Sequence, residues 1–357
     1  MTTTEAREEV VLEAVRQRRE HVNDAIPEEL PIDEPTRLYE ASRYLLDAGG
    51  KRLRPTVLLS VAESLADVDP LSTDYRSFPT LAAGDADRAG PETIDLMGAA
   101  VSVEVIQSFT LIHDDIMDDD DLRRGVPAVH REYDVETAIL AGDTLYSKAF
   151  EIMLEVGATP DRTVEALDVL AHTCTQICEG QARDVEFEAR DDVLPEEYLE
   201  MVEQKTAVLF AASASLPAVL MGADRETIDQ LYGYGLDVGR AFQIQDDVLD
   251  LTVPSDKLGK QRGSDLVENK QTLITVHARE RGVDVADLVD TDDVEAVTEA
   301  EIDDAVAALE ESGSIEYANQ KARDLVEQGK DRLEVLPDNE ARTLLIELAD
   351  YLIERGY

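Results

Sequence analysis

An all-α, single-domain fold is predicted for this 357-residue chain, on three observations. Apolar residues recur at three- and four-residue spacing through most of its length. No stretch sustains the alternation of a half-buried strand. Hydrophobic residues make up 43% of the chain, so a core for many packed helices can form in spite of a heavy charge.

The elements follow in order. Residues 4–23 mix charge with Val10, Val11, Leu12, Ala14 and Val15. That pattern predicts an amphipathic helix broken by Pro27 and Pro31, so that 1–33 form an N-terminal helix and linker. A helix over about 34–47 ends at Gly49-Gly50, a natural helix C-terminus. Pro55 suits the first turn of the next helix, which starts in KRLRPTVLLSVAESL. Residues 67–91 are rich in Asp, Gly, Pro and Ser and read as a long surface loop. They are not a domain boundary, because helical patterning resumes at once beyond them. Further helices are predicted over 94–117, 135–157, 162–187, 195–221, 225–251, 270–280, about 314–335 and about 338–355. Segment 283–304 is acidic and ambiguous between loop and short helix.

Charge narrows the function. Asp and Glu number 79 against 33 Lys and Arg, a formal net charge of -46. A nucleic-acid-binding surface is excluded, since phosphate backbones are read with basic residues. Disorder requires low hydrophobicity as well, so the acid reads as a solvated coat on a folded, halophilic protein, its self-repulsion screened by salt. The lysines are few: Lys51, Lys148, Lys205, Lys257, Lys260, Lys270, Lys321 and Lys330. Cys174 and Cys178 read as small buried apolar residues in a reducing compartment. The polar start MTTTEAREEV does not look like a secretion signal. No apolar run reaches the ~18 residues of a membrane span. A soluble cytoplasmic protein is expected.

One stretch stands out, SFTLIHDDIMDDDDLRRG at 108–125. A helix turns about 100° per residue, so Gln107, Thr110, Asp114 and Asp118 share a face. Carboxylates one turn apart suit a hard cation, and Mg²⁺ binds a few carboxylates together with phosphate oxygens. The run also sets anions at a helix C-terminus, which costs up to about 1 kcal/mol per charge; a bound cation would offset that. Asp114 and Asp115 follow an apolar run and are more than surface coat, whereas for Asp119–Asp121 either reading stands. A second cluster, QDDVLD at 245–250, puts Gln243, Asp246, Asp247 and Asp250 at i, i+3, i+4 and i+7. The expectation is that the two clusters face each other across one cavity and hold divalent metal on a substrate diphosphate.

Basic residues accompany them. Lys51, Arg52 and Arg54 follow Gly49-Gly50, where backbone can approach a phosphate closely. Arg123 and Arg124 follow the first cluster, Lys205 begins KTAVLF, and Lys260 and Lys270 flank GSD. Lysines placed this way in a chain that avoids them point to anion sites. Ordinary salt bridges remain the alternative for Arg52, Lys148 and Lys257.

Taken together, these stretches resemble the trans-isoprenyl diphosphate synthases, the family of farnesyl and geranylgeranyl diphosphate synthases. The resemblance rests on GGKRLRP at 49–55, DDIMD at 114–118 with RRG at 123–125, AGD at 141–143, GQARD at 180–184, KT at 205–206, FQIQDDVLD at 242–250, and GKQRGSD with KQT over 259–272. It implies a helical barrel around a deep apolar cavity, usually a homodimer. It implies that Asp114, Asp118 and Asp246 bind Mg²⁺, roughly two to three ions, with Asp184 and Asp250 assisting. Arg123, Lys205, Lys260 and Lys270 would hold the allylic diphosphate. Lys51, Arg54 and Arg124 would hold isopentenyl diphosphate, with Gln107 on the same side. Thr206 and Gln243 would lie beside the allylic carbon, completing a catalytic set with Lys205.

The implied reaction ionises the allylic C–O bond, adds the isopentenyl double bond to the cation and releases a proton. In this family, bulky residues four and five positions before the first Asp form the floor of the product cavity; here they are Thr110 and Phe109. A bulky residue at the fifth position only resembles archaeal-type geranylgeranyl diphosphate synthases, with a C20 product. A C15, bifunctional C15/C20 or C25 product is the alternative. Phe109 lies about 140° around the helix from Asp114, so a plain core role stays open for it. Many relatives have His where Gln107 stands and Pro where Ile274 stands, and the loop at 67–91 is longer than usual. His113 is read as structural.

Three rivals are weaker. A terpene cyclase would carry an Asn/Ser/Glu metal motif in place of the second cluster. A head-to-head synthase would carry Asp-x-x-Glu-Asp. A non-catalytic acidic protein that binds divalent cations leaves the placement of Arg123, Arg124, Lys205, Lys260 and Lys270 unexplained.

Overall fold

The computed structural model describes residues 3–81, 91–255, 261–289, 291 and 296–354. It is all-α, as expected. The helices are α1 (Thr3–Glu29), α2 (Thr36–Asp47), α3 (Leu53–Ala66), α4 (Leu96–Met117), α5 (Val129–Glu132), α6 (Val135–Leu154), α7 (Pro160–Phe187), α8 (Pro195–Val202), α9 (Val208–Met221), α10 (Arg225–Thr252), α11 (Ser264–Val267), α12 (Leu273–Glu280), α13 (Glu299–Glu311), α14 (Ser314–Arg332) and α15 (Glu340–Glu354). The strands among the described residues are two-residue pairs: β1 (Phe78–Pro79) with β2 (Thr93–Ile94), and β3 (Leu122–Arg123) with β4 (Val126–Pro127), both antiparallel.

Three local expectations change. Pro27 does not break α1, which runs to Glu29; lying in the last turn, it removes only one backbone bond before the helix ends. The helix expected over 195–221 is interrupted by a π-turn at Glu203–Ala207. In the ambiguous segment 283–304 the described residues include a 3-10 turn at Val285–Asp287 and the start of α13, which Thr298 caps reciprocally with Glu301.

Two compact units interleave along the chain. The first comprises 1–174, 212–232 and 333–347, the second 175–211, 233–332 and 348–357. In the first unit α4 is the central element, packed against α6, α3 and α1. It is apolar on nearly every side, and Leu96, Ala99, Val103, Ile106 and Ile112 are fully buried. A helix apolar all round belongs in a core or a membrane. Leu96–Met117 and Pro195–Met221 are long and apolar enough on average to span one, but 78% and 89% of their most apolar stretches are buried inside the protein, as in the core helices of a globular protein. A buried ion pair, Arg18–Glu63 at 2.5 Å, joins α1 to α3. Tyr75 Oη donates to the same Glu63 carboxylate at 2.5 Å, so the pair satisfies its remaining lone pairs.

In the second unit, glycines set the packing. A Cβ on Gly235 would lie 2.4 Å from Ala211 Cα, and one on Gly239 would lie 2.6 Å from Ala207 Cα. Helix α10 therefore rests directly on backbone at 207–211. A Cβ on Gly180 would lie 2.3 Å from Lys205 N, so α7 presses on the π-turn in the same way. Cys174 is buried but Cys178 is exposed, which corrects the reading of both as core residues.

Candidate active site

In the first unit, Asp114 is half-buried and Asp118, the C-cap of α4, is exposed. Asp115 between them is 0% exposed. Burial pushes its carboxyl above the usual range and Arg123 pulls against that. Arg123 Nε donates to Asp115 Oδ1 at 2.6 Å, and Arg123 Nη2 to Asp120 Oδ2 at 2.6 Å. Asp120 is thereby a partner of Arg123, while Asp119 and Asp121 pair with Arg131, each at 2.8 Å.

The RRG motif has a backbone reason. Strands β3 and β4 are joined by Arg124 and Gly125, with φ of 54° and 78°, the left-handed pair that a two-residue hairpin turn requires. Arg124 tolerates this because its side chain is tied down. Its Nη1 donates to Leu45 O at 3.1 Å and to Gly49 O, and its Nη2 to Glu104 at 3.3 Å. A Cβ on Gly50 would come 2.9 Å from Arg124 Cζ. The space beside Gly50 is therefore filled by Arg124 and not by a phosphate, which corrects the reason given for the paired glycines.

Arg52 is frame as well. It is 2% exposed and donates to Asn23 at 2.9 Å, Glu104 at 2.5 Å and Leu46 O at 2.6 Å. The salt-bridge alternative holds for it, and for Lys148, which pairs with Glu151 at 2.5 Å. Lys51 is exposed and Arg54 half-buried beside it, at the start of α3. Glu104 was not singled out from the sequence, yet it anchors two arginines. The available signal was a lone carboxylate inside an apolar helix, which has to be paired.

Gln107 and Thr110 are half-buried, and the Thr110 hydroxyl donates back to Gln107 O at 2.8 Å. Phe109 is 7% exposed, with ring centroids 5.4 Å from Tyr146 and 5.8 Å from His113. His113 packs onto α6, where Gly142 leaves room for it: a Cβ there would lie 2.2 Å from His113 Nε2. That agrees with a structural His113.

In the second unit, Lys205 Nζ lies 2.6 Å from Asp184 Oδ2. Thr206 Oγ1 donates to Gln243 Oε1 at 3.1 Å. Asp246 is half-buried. Asp247 and Asp250 lie on the same stretch of α10 but are more deeply buried than Asp246. Asp247 is 5% exposed and takes hydrogen bonds from Tyr198 and Gln243; burial, then nearby Asp265, raises its carboxyl well above the usual range. Asp250 is 1% exposed and accepts from Ser264 Oγ at 2.9 Å and from Asp265 N at 3.2 Å. It clasps the start of α11 with both oxygens, which leaves it less suited to a metal than expected. Lys270 pairs with Glu268 at 2.9 Å. Lys257 and Lys260 lie outside the described residues. Among the described residues, no three His, Cys, Asp or Glu side chains are grouped so as to hold a metal ion between them.

Comparison with known proteins agrees with these motifs. The family model described as polyprenyl synthetase matches residues 35–309. A geranylfarnesyl diphosphate synthase of Natronomonas pharaonis is 68% identical over 344 residues, covering 96% of this chain and 97% of the relative. A geranylgeranyl diphosphate synthase of Methanosarcina mazei is 47% identical over 350 residues, covering 97% and 98%. The solved geranylgeranyl pyrophosphate synthetase of Geoglobus acetivorans superposes with a TM-score of 0.82 at 42% identity, covering 96% of this chain and 99% of that one. The chain belongs to the polyprenyl synthetase family.

Proposed function

We propose that this prenyltransferase condenses isopentenyl diphosphate head-to-tail with allylic diphosphates to give geranylgeranyl diphosphate. The supporting observation is local: Asp114 and Asp118 stand one turn apart at the end of a buried apolar helix, beside an Arg123 oriented by buried Asp115. The family match runs through segments of both units, which supports reading them as one synthase domain.

The donor set fits magnesium. It is all hard carboxylate oxygen, and no three protein ligands are grouped in advance among the described residues. That is the pattern of a cation completed by phosphate oxygens and water. Asp114, Asp118, Asp184 and Asp246 would hold it, and when bound it neutralises charge on the departing diphosphate. Asp250 is a weaker candidate. Arg123, Lys205, Lys260 and Lys270 bind the allylic diphosphate, while Lys51, Arg54, Arg124 and Gln107 bind isopentenyl diphosphate. The allylic C–O bond breaks with its electron pair leaving on the diphosphate. Oxygens of Thr206 and Gln243 face the carbocation, a dipole arrangement set before charge develops. The isopentenyl double bond then closes the new C–C bond, and the resulting cation gives up a proton to the released diphosphate.

A C25 product is the second reading, favoured by the 68% identical relative named a geranylfarnesyl diphosphate synthase. Phe109 and Thr110 are proposed as the floor that decides between them. A homodimer is supported by α6, which exposes Val135, Ile139, Leu140, Tyr146 and Leu154, an apolar patch of the kind that marks a protein interface. The acid coat suits a cytoplasm rich in salt. The test is to incubate the protein with isopentenyl diphosphate, each allylic diphosphate in turn, Mg²⁺ and molar salt, and to size the products. Mainly C20 supports the first reading and mainly C25 the second; a C15 product overturns both lengths, and no prenyl product overturns the reaction.

A further inference from the structure

We propose that Asp247, held by Tyr198, is a positioning residue that fixes which atoms Gln243 and Thr206 turn toward the reacting carbon; this rests on the prenyl-transfer reading above. The hydrogen bonds all converge on Asp247. Thr206 Oγ1 donates to Gln243 Oε1 at 3.1 Å, Gln243 Nε2 donates to Asp247 Oδ1 at 3.0 Å, and Tyr198 Oη donates to Asp247 Oδ2. Asp247 and Tyr198 are 5% and 2% exposed, whereas Thr206 and Gln243 are half-buried. The first pair sits behind the second.

The carboxylate decides the polarity of the row. Facing a side-chain amide, it can only accept from the NH₂ end, so Gln243 has to turn Oε1 toward Thr206. The Thr206 hydrogen is then committed to Gln243. At the Thr206 end, what both groups retain for a third partner is lone pairs, one on Gln243 Oε1 and the others on Thr206 Oγ1, while the second Nε2 hydrogen of Gln243 stays at the Asp247 end. With the amide reversed, Gln243 would offer N–H hydrogens, a positive edge at the place where an allylic cation forms. The sign of a fixed dipole is what makes it lower or raise such a barrier. This polarity is that of the Asp247 carboxylate, whose two oxygens both accept, one from Gln243 Nε2 and one from Tyr198 Oη.

The backbone holds the row in place. Thr206 lies in the π-turn Glu203–Ala207, irregular backbone of a kind frequent at functional sites. Close approaches at Gly180 and Gly239 press α7 and α10 onto that turn. Helix α8, which carries Tyr198, leads straight into it. A bulkier residue at either glycine would move Thr206 away from Gln243.

Steady-state kinetics of a double-mutant cycle test the assignment, with isopentenyl and an allylic diphosphate as substrates. Tyr198→Phe and Asp247→Leu are expected to lower kcat by about 10- to 100-fold, with both KM values within about twofold. In a Gln243→Leu background the same two substitutions are expected to have less than about a twofold further effect. Asp247→Asn keeps an acceptor oxygen for Gln243 Nε2 and should regain most of the rate lost in Asp247→Leu. Equal losses with and without Gln243 would make Tyr198 and Asp247 structural and overturn the assignment alone. A Gln243→Leu enzyme with parental kcat would overturn the prenyl-transfer role of Gln243, and the positioning role with it. Should Tyr198→Phe not fold, the Asp247 pair decides: an Asn variant as impaired as the Leu variant overturns the inference.

Discussion

Glu104 is the residue whose loss should tell most about how the basic motifs are held. Consider Glu104→Gln. The Arg52 side chain is 0% exposed and that of Glu104 4%, so Arg52 would keep a buried charge with only neutral acceptors. Removing one partner of a buried pair costs about 3–5 kcal/mol. Two features place the expected loss near the lower end, about 3 kcal/mol. Arg52 still donates to Asn23 and Leu46 O, and Arg124, 18% exposed, still donates to two backbone carbonyls. Gln also returns one acceptor oxygen, although its NH₂ faces a guanidinium. Equilibrium urea denaturation in molar salt reads the stability. Kinetics should show KM for isopentenyl diphosphate rising several-fold while KM for the allylic diphosphate stays put, because Arg124 and the 51–54 segment lose a common anchor. A variant within about 0.5 kcal/mol of the parent, with both KM values unchanged, would refute the claim that Glu104 organises this motif.

Other outcomes follow from the same geometry. Asp114→Ala and Asp246→Ala should each abolish turnover in the product assay; near-normal rates would remove the metal assignment. Phe109→Ala should shift the product to at least one isoprene unit longer, and an unchanged product ladder would leave Phe109 a core aromatic among Tyr146 and His113. With a formal net charge of -46, the melting temperature should rise steeply as salt is raised toward 1 M, where screening shortens to about 3 Å; a flat curve would contradict the solvated-coat reading. Asp134, capping α6, has its carboxyl held below the usual range by hydrogen bonds from Thr137, with Arg37 helping. Its stabilisation is present above the ordinary carboxylate pKa of about 3.9 and is lost as pH falls through the lowered folded value. Asp134→Asn keeps the cap but does not titrate, so its urea midpoint should fall less between pH 5 and pH 3; parallel losses would refute the assignment.

What was legible in the sequence, and what was not, divides by the range of the interaction. Helices α4, α7 and α10 follow from local apolar spacing, and Asp114 with Asp118 follows from helical geometry alone. Their motifs were specific enough to reach the family. Helical spacing gave the shared side of Asp246, Asp247 and Asp250 but not their depth. Asp246 stays half-buried, while Asp247 meets Tyr198 and Asp250 meets the turn at 263–265. Such partners come from other elements of the chain, and spacing within α10 contains no trace of them. The π-turn is similar. Nothing local to Glu203–Ala207 breaks a helix, and the turn packs closely against Gly180, on another helix.

The basic motifs show a division of labour that composition hides. Counting cations near Gly49-Gly50 treats Lys51, Arg52, Arg54 and Arg124 as equivalent anion ligands. The structure separates them by burial. Arg52 is closed off by Glu104, Asn23 and a carbonyl. Arg124 fills the space that Gly50 leaves and is braced by the carbonyls of the preceding turn. Both arginines therefore brace the segment, and of the proposed isopentenyl diphosphate ligands Lys51, Arg54 and Arg124, Lys51 is the most exposed. The same logic explains why a chain with only eight lysines keeps one there. A compact ammonium on a flexible stem can follow a mobile diphosphate, whereas the planar fork of Arg is best where geometry has already been set. On this view Lys51→Arg should be poorly tolerated in isopentenyl diphosphate binding although the charge is conserved, and Arg52→Lys should be felt mainly in stability.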